Sequence, residues 1–391
     1  MVPPNTVWKL KPPSPLASQL ALEAGLTTLQ AQLLINRGIS NPSQAKSFLC
    51  PRLDCMADPM LLKDMDCALA VILKAVEDRK KITIYGDYDA DGLTATALLL
   101  NFFKCLGIET SSYIPNRLRE GYGLNKAAVE TIAADGTGLI ITVDCGISNS
   151  KEIAFAKSLE MNVVVTDHHQ VPHGFTADYP VVNPHRADCP FPFKDLAGVG
   201  LAFFLSVALR TALRKKGWFE TVPEPDLKDY LDLVALGTVA DRVPLLDQNR
   251  ILVSNGLGIM GRSRWAGIKA MLKISGIEDP DITADDLAFR LGPRLNAPGR
   301  MDDPGIVVEI LTSDDTLLTK DLALRINDAN IKRQGVERRI LDKIEAKIKT
   351  TEGIEDSRAL VVFGEGWHKG VLGIVASRLV DKYNRPALVL D

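Results

Sequence analysis

Asp87, Asp89 and Asp91 stand at alternate positions in Gly-Asp-Tyr-Asp-Ala-Asp-Gly (residues 86–92), Asp144 follows a second apolar run, and Asp167-His168-His169 follows a third. Carboxylates gathered together repel one another unless cations sit among them, and mixed carboxylate and imidazole donors suit Mn2+ or Mg2+ better than Zn2+. A pair of such ions can activate water and neutralise the oxygens of a phosphoester during its hydrolysis. Singly, each Asp is also an ordinary turn residue or helix N-cap. Coincidence points past those uses: three acids at alternate positions, another at the equivalent end of a second run, and a His pair at the end of a third. His173 and His185 have no such company and are read as structural or solvated.

From Lys81 onward, short β-rich runs alternate with runs of helical period. Strands are predicted at residues 82–87, 112–115, 139–144 and 163–167, with a weaker fifth at 181–182, and helices at 93–105, 125–134, 151–159, 196–216 and 226–239. This rhythm is that of an α/β fold with a parallel sheet, whose strands share one carboxyl edge where ligands bind. The three acidic segments should therefore converge. The turn Gly92-Leu93-Thr94 would add backbone N–H groups beside them.

The 391 residues, 46% hydrophobic and 24% charged, allow two or three packed domains and exclude a disordered chain. Cys50, Cys55, Cys67, Cys105, Cys145 and Cys189 form no Cys-x-x-Cys pair, which argues against a zinc site or a disulfide framework and fits a reducing cytoplasm. No signal-peptide core opens the chain, and the longest apolar run, residues 196–209, is too short to span a bilayer, so no membrane role is expected. The net charge of −3 gives no hint of nucleic-acid binding. Six of the acids are candidates for one metal site, however, which leaves the remainder net positive.

A different texture begins near Asp314, where Leu322, Ile326, Ala329, Val336, Ile340, Ile344 and Ile348 recur at helical spacing and predict one long connecting helix. Its second half, residues 332–349, carries seven basic and three acidic residues, consistent with a positive face or with simple solvation. A strand predicted at 359–363 opens a second α/β unit that ends on an apolar strand at 386–390. Such a unit is not a complete domain, and a further C-terminal portion is expected. The expected divisions are 1–46, an N-terminal segment; 47–315, the catalytic domain; 316–352, the connecting helix; and 353–391, the beginning of the second domain.

The segments GDYDADG at 86–92, VDCGIS at 143–148 and DHH at 167–169 resemble the first three motifs of the DHH phosphoesterase superfamily, and ALGTVAD, ending at Asp241, resembles the fourth. NRLREGYGLN from Asn116, LGPRLNAPGR from Leu291 and GWHKGVLGIVASR from Gly366 are similar to RecJ-like exonucleases. The resemblance implies a DHH domain, the long helix and the start of a DHHA1-type domain. It also implies two divalent ions, Mn2+ or Mg2+, bridged by Asp144, with Asp89 on one ion, Asp91, His168 and Asp241 on the other, and Asp87 as a further ligand. Related proteins carry His four residues before the Asp89 position; here it is Tyr85, so Asp87, His169 or water would complete that shell. His169 is the candidate for phosphate contact or leaving-group assistance. By the same likeness Arg117 would contact DNA phosphates near a 5′ end, while Arg294, Asn296 and Arg300 would line the channel, work that suits the planar guanidinium fork.

The activity implied is 5′→3′ exonucleolytic hydrolysis of single-stranded DNA to 5′-mononucleotides, in DNA repair and recombination. The implied partners are single-stranded DNA, a recombination helicase and single-strand-binding protein, and a cytoplasmic monomer is expected. Two rival readings are a DHH enzyme for small substrates (oligoribonuclease, cyclic-dinucleotide phosphodiesterase or pyrophosphatase) and a non-catalytic DNA-binding replication scaffold. Retention of all the expected ligands speaks against the scaffold.

Overall fold

Five strands, β1 (Lys81–Gly86), β2 (Thr110–Tyr113), β3 (Thr137–Val143), β4 (Asn162–Thr166) and β5 (Val181–Val182), pair in parallel in the order β2-β1-β3-β4-β5. The computed structural model describes residue 7 and residues 9–279, 281–350 and 357–391. β1, β3 and β4 are nearly continuous apolar and β-branched runs because both faces of the sheet are covered. Strand alternation sends Ile82, Ile84, Leu139, Ile141, Val143 and Val164 into the larger core, and Tyr85, Ile140, Val163 and Val165 into a smaller one on the opposite face. From β1 the chain passes to β2 on one side and then to β3 on the other, opening a crevice at the carboxyl ends of β1 and β3.

Each acid-bearing strand stops one residue earlier than the sequence pattern suggested, so Asp87, Asp144 and Asp167 lie just beyond it at that edge. The helix after β1 begins at Ala90, three residues before the expected start, because Asp89 caps it. The strand predicted at 112–115 lies instead at Thr110–Tyr113, and the helix predicted at 226–239 divides into a 3-10 turn, Leu227–Tyr230, and the helix Leu231–Ala240.

A layer of helices follows the sheet: Gly198–Lys215, Leu231–Ala240, Asp247–Met260, Ala266–Ile274, Gly292–Met301 and Gly305–Thr312. Gly292–Met301 is entered through a π-helical turn, Leu287–Leu291. Before the sheet, Ala17–Ala24, Thr28–Ile35 and Pro42–Leu49 form a small core of their own and dock through Phe48, over which the Arg250 guanidinium stacks at 3.7 Å. Among the described residues no helix is long and apolar enough to cross a membrane.

The long helix runs Thr316–Thr350; residues 351 and 352 of the expected connector lie outside the described residues. Leu322, Ala323 and Ile326 pack on the main core, and Ile340, Ile344 and Ile348 on a second core with Trp367, Val371, Val375 and Leu379. Between those stretches the apolar pattern fails. Ala329 and Val336, expected inside, are only half-buried, and the inward positions belong to Asn330, Arg333 and Glu337. β6 (Leu360–Phe363), the helix Lys369–Tyr383 and β7 (Ala387–Leu390) then form a parallel βαβ unit. One face of its two strands, carrying Val361, Phe363, Leu388 and Leu390, is exposed.

Helix packing here depends on backbone approach. A Cβ added at Gly267 would stand 1.8 Å from the Ile310 carbonyl oxygen, which belongs to the helix that also supports the long helix. Gly267→Ala is expected to destabilise the protein by about 1–3 kcal/mol, as overpacking against rigid backbone does. A urea titration checks it: the midpoint should fall with the slope unchanged.

Candidate metal centre

Asp89 builds the turn that carries three of the acids. Its Oδ1 accepts from the N–H groups of Asp91 (2.9 Å) and Gly92 (3.2 Å), capping the helix Ala90–Cys105. The Gly92 and Leu93 N–H groups, expected to be available to a phosphate, are thereby taken, the first by the Asp89 side chain and the second by the Asp89 carbonyl. Gly92 is required by contact, since a Cβ there would meet the Asp87 backbone at 2.6 Å.

Asp91 is fully buried and accepts from the N–H groups of Gly198 (2.6 Å) and Val199 (2.8 Å), the positive end of an 18-residue helix. Gly198 lets that helix close on the site, because a Cβ would lie 2.7 Å from the Asp144 Cβ. Asp144 itself adopts the left-handed region with φ 60, an uncommon conformation for a residue with a side chain. Asp241 ends the helix Leu231–Ala240, where the helix dipole disfavours a carboxylate.

The candidate ligand atoms gather into three overlapping groups: Asp87, Asp89 and Asp144; Asp91, His168 and Asp241; and Asp144, His168 and His169. Within each, the donor atoms lie within 4.8 Å of one another. His168 Nε2 is 3.0 Å from Asp144 Oδ1 and 3.7 Å from an oxygen of each of Asp91 and Asp241. Nevertheless Asp87 Oδ1, Asp144 Oδ1 and His168 Nε2 are buried with no hydrogen-bond partner. Such atoms are costly unless something completes them. A divalent cation fits: the donors are oxygen and imidazole, and the three groups overlap, Asp144 and His168 each belonging to two of them.

Electrostatics give the same picture. Burial, reinforced by Asp241 for Asp91 and by Asp91 for Asp144, holds both carboxyls well above the usual carboxylate range. Burial and Asp89 push Asp87 up to about 8 and Asp241 to about 6. Burial and neighbouring His169 lower His168 to about 4, keeping its imidazole neutral and able to ligate. His169 is half-exposed, and its pKa is raised because Nδ1 lies 2.8 Å from Asp167 Oδ1. Burial alone would raise Asp167, but the bonds from His169 and from the Ile147 N–H hold it below the usual range.

Two further residues belong here, Asp167, which the sequence analysis placed among the converging acids without a role toward His169, and Tyr122, which it passed over. Asp167 orients His169, and the Tyr122 hydroxyl sits 3.1 Å from both His169 Nδ1 and the Asp144 carbonyl oxygen. Tyr122 lies in the Gly-Tyr-Gly of the segment from Asn116, a signal that was present in the sequence but pointed to no chemistry by itself. Tyr85 faces away, stacked on Tyr113 with its hydroxyl on the Gly123 carbonyl, so it takes no part in the ligand cluster. Among the described residues no metal-competent group includes His173 or His185; His173 is exposed and His185 pairs with Gln170.

The expected substrate residues divide. Arg117 is exposed beside Tyr88, its guanidinium 5.2 Å from the ring centroid, and Arg300 approaches the same Tyr88 through the helix Gly292–Met301, where a Cβ at Gly299 would meet the Tyr88 carbonyl oxygen at 2.5 Å. Asn296 instead accepts from the Ala90 N–H and steadies the Asp89 turn. Arg294 donates to the Arg290 carbonyl and to Asn327 of the long helix.

The family profile described as "DHH family, N-terminal domain" matches residues 81–238, the stretch that holds every ligand candidate but Asp241. The single-stranded-DNA-specific exonuclease RecJ of Bacillus subtilis (strain 168) is 38% identical over 384 residues, 98% of this chain and 47% of that protein. The protein of the same name from Salmonella typhimurium is 40% identical over 379 residues, 94% of this chain and 64% of that one. The chain thus spans about half to two thirds of the length of these curated relatives. A crystal structure of exonuclease RecJ bound to manganese superposes with a TM-score of 0.74 at 34% identity, covering 84% of this chain and 80% of that one. On these likenesses in sequence and fold, the chain belongs to the RecJ family of DHH proteins.

Proposed function

We propose that this chain holds two divalent ions and hydrolyses phosphodiester bonds of single-stranded DNA from the 5′ end, releasing 5′-mononucleotides. The observation that carries the proposal is the buried set of unpartnered donor atoms, Asp87 Oδ1, Asp144 Oδ1 and His168 Nε2, at the carboxyl edge of the sheet. Asp87, Asp89 and Asp144 would hold one ion, Asp91, His168 and Asp241 the other, with Asp144 common to both. Bound there, Mn2+ or Mg2+ supplies polarisation of the phosphate and ionisation of a water near neutral pH.

The chain's own groups set the rest. Asp167 fixes the His169 tautomer with the proton on Nδ1, which directs Nε2 outward to a phosphate or leaving oxygen. Arg117 and Arg300, flanking Tyr88, supply positive charge on the path to the carboxylates. Single-stranded DNA as substrate is supported by the names of the curated relatives. A recombination helicase and single-strand-binding protein as partners, a monomeric state and a cytoplasmic location complete the reading. So do the divisions of the chain given above, with Thr316–Thr350 as the connecting element.

The direct test is an oligonucleotide labelled at either end and incubated with Mn2+. A 5′ label should appear at once as mononucleotide, and a 3′ label as a ladder of shortening products. The reverse pattern, or equal cleavage of blunt duplex, overturns the proposal.

Asp144→Asn should lower turnover by roughly two orders of magnitude or more, since several kcal/mol of charge stabilisation are removed. The melting temperature should hold, because Asn tolerates the left-handed backbone at this position. Single-turnover kinetics beside a thermal melt separate the two effects.

Metal binding should be linked to pH. The folded-state pKa values of Asp241 and Asp87 are raised to about 6 and about 8, so metal-free stability is lost as pH rises from the ordinary carboxylate range up to about 6 for Asp241 and up to about 8 for Asp87, while Mn2+ affinity increases and protons are released. Melts at pH 6 and pH 8 should show a larger Mn2+ stabilisation at pH 8.

A further inference from the structure

The middle of the long helix buries charge where its two ends bury isoleucine. Asn330, Arg333 and Glu337 are 2%, 8% and 8% exposed. Arg333 donates through Nε and Nη2 to Asn330 Oδ1 (3.2 and 3.1 Å) and through Nη1 to Glu337 Oε2 (2.7 Å). The other Glu337 oxygen accepts from Arg378 Nε at 3.3 Å, a residue of the helix Lys369–Tyr383. A buried ion pair is often no more stable than apolar residues of similar volume, so stability alone does not account for this one.

Its neighbour is Arg300. The helix Gly292–Met301 lies against the long helix and against Lys369–Tyr383; a Cβ at Gly370 would stand 2.1 Å from the Arg300 carbonyl oxygen, and Arg300 Nη1 donates to the Gly370 carbonyl at 3.4 Å. Among the described residues neither Arg300 nor Arg117 has an ion-pair partner, and the single carboxylate of the buried set is shared by two other guanidiniums. Burial, then Arg117, then Arg333 lower the Arg300 pKa, whereas Asp89 and Tyr88 act in the opposite sense. Arg300 is thus held where its own helix, the long helix and Lys369–Tyr383 meet, with its Nη1 on the Gly370 carbonyl.

We propose that Arg333, locked by Asn330 and Glu337 and tied through Glu337 to Arg378, is a positioning residue: it sets the direction of the Arg300 guanidinium toward the single strand and couples that direction to the seating of the βαβ unit on the long helix. The link runs through the helix Lys369–Tyr383, whose Arg378 is anchored by Glu337 and whose Gly370 carbonyl receives Arg300 Nη1, while the fork of Arg333 is fixed because three of its donors are committed. The inference rests on single-stranded DNA being the substrate, but its test does not require cleavage.

The test is a double-mutant cycle on the full 391-residue chain. Anisotropy of a fluorescein-labelled single-stranded oligonucleotide in EDTA gives the affinity of wild type, Arg300→Met, Arg333→Met and the double variant. Arg333→Met should weaken binding by about tenfold, the scale of one charge-assisted phosphate hydrogen bond, and the double variant should be no weaker than Arg300→Met. Arg333→Met/Glu337→Leu, which strands no buried carboxylate, should melt at or above the wild-type temperature and still show the loss. Arg333→Lys should recover part of it. Losses that add in the cycle, or wild-type affinity in the Arg333→Met/Glu337→Leu variant, overturn the proposal. Wild type that binds the strand but does not cut it in Mn2+ defeats the exonuclease reading alone, leaving the cycle to decide this one.

Discussion

Asp87, Asp91 and Asp144 are brought together in a space that water barely reaches, with half-buried Asp241 beside them, and their mutual repulsion is the constraint around which the structure is arranged. The fold offsets part of it. Asp91 receives two N–H groups at a helix N-terminus, Asp89 spends one oxygen on capping, and Asp167 is neutralised by His169. Asp144 and Asp241 receive less: one has a left-handed backbone and the other closes a helix at its negative end. What remains is a charge deficit of the kind divalent cations relieve.

Close packing serves the same end. Gly92, Gly198 and Gly299 each let a backbone pass where a methyl group would collide, with Asp87, Asp144 and Tyr88 respectively. The sheet edge, the helix Gly198–Lys215 and the helix Gly292–Met301 thus reach one point from three directions. The π-turn Leu287–Leu291 just before the last of these is an irregularity of the sort that recurs near functional sites, and here it leads into the helix that presents Arg300. The long helix then carries the arrangement outward, its two apolar ends belonging to different cores and its polar middle bonded to the helix Lys369–Tyr383.

Most of the sheet and the acids that end its strands were legible in the chain, because strand alternation and strand-end acids are local signals, whereas Asp241, which closes a helix, was reached only through the resemblance of its motif. β1, β3 and β4 were placed to within two residues, and the expected ligands gather in overlapping groups in which Asp144 falls with Asp87 and Asp89 and with His168 and His169. The misreadings share one cause. Ala329 and Val336 were assigned to the buried face because they are apolar, and Arg333 and Glu337 fell in a stretch read as a positive face or as simply solvated, since periodicity weighs hydrophobicity and cannot register that two charges satisfy one another.

By itself, then, the sequence determined the α/β rhythm, the acids at the ends of three strands and their convergence on one edge, all of which follow from strand period and the parallel sense of the sheet. Only the tertiary structure decided what each polar group is free to do. The amides of Gly92 and Leu93 serve Asp89, Asn296 holds the turn, Arg294 bridges to Asn327, and Tyr85 packs away from the ligands, while Tyr122 and Asp167 come to flank His169. For Asn296, Arg294, Tyr85 and Tyr122 the physical reason is that the hydrogen bond joins partners far apart in the chain. Residue type gives the capacity to donate or accept, and packing chooses the partner.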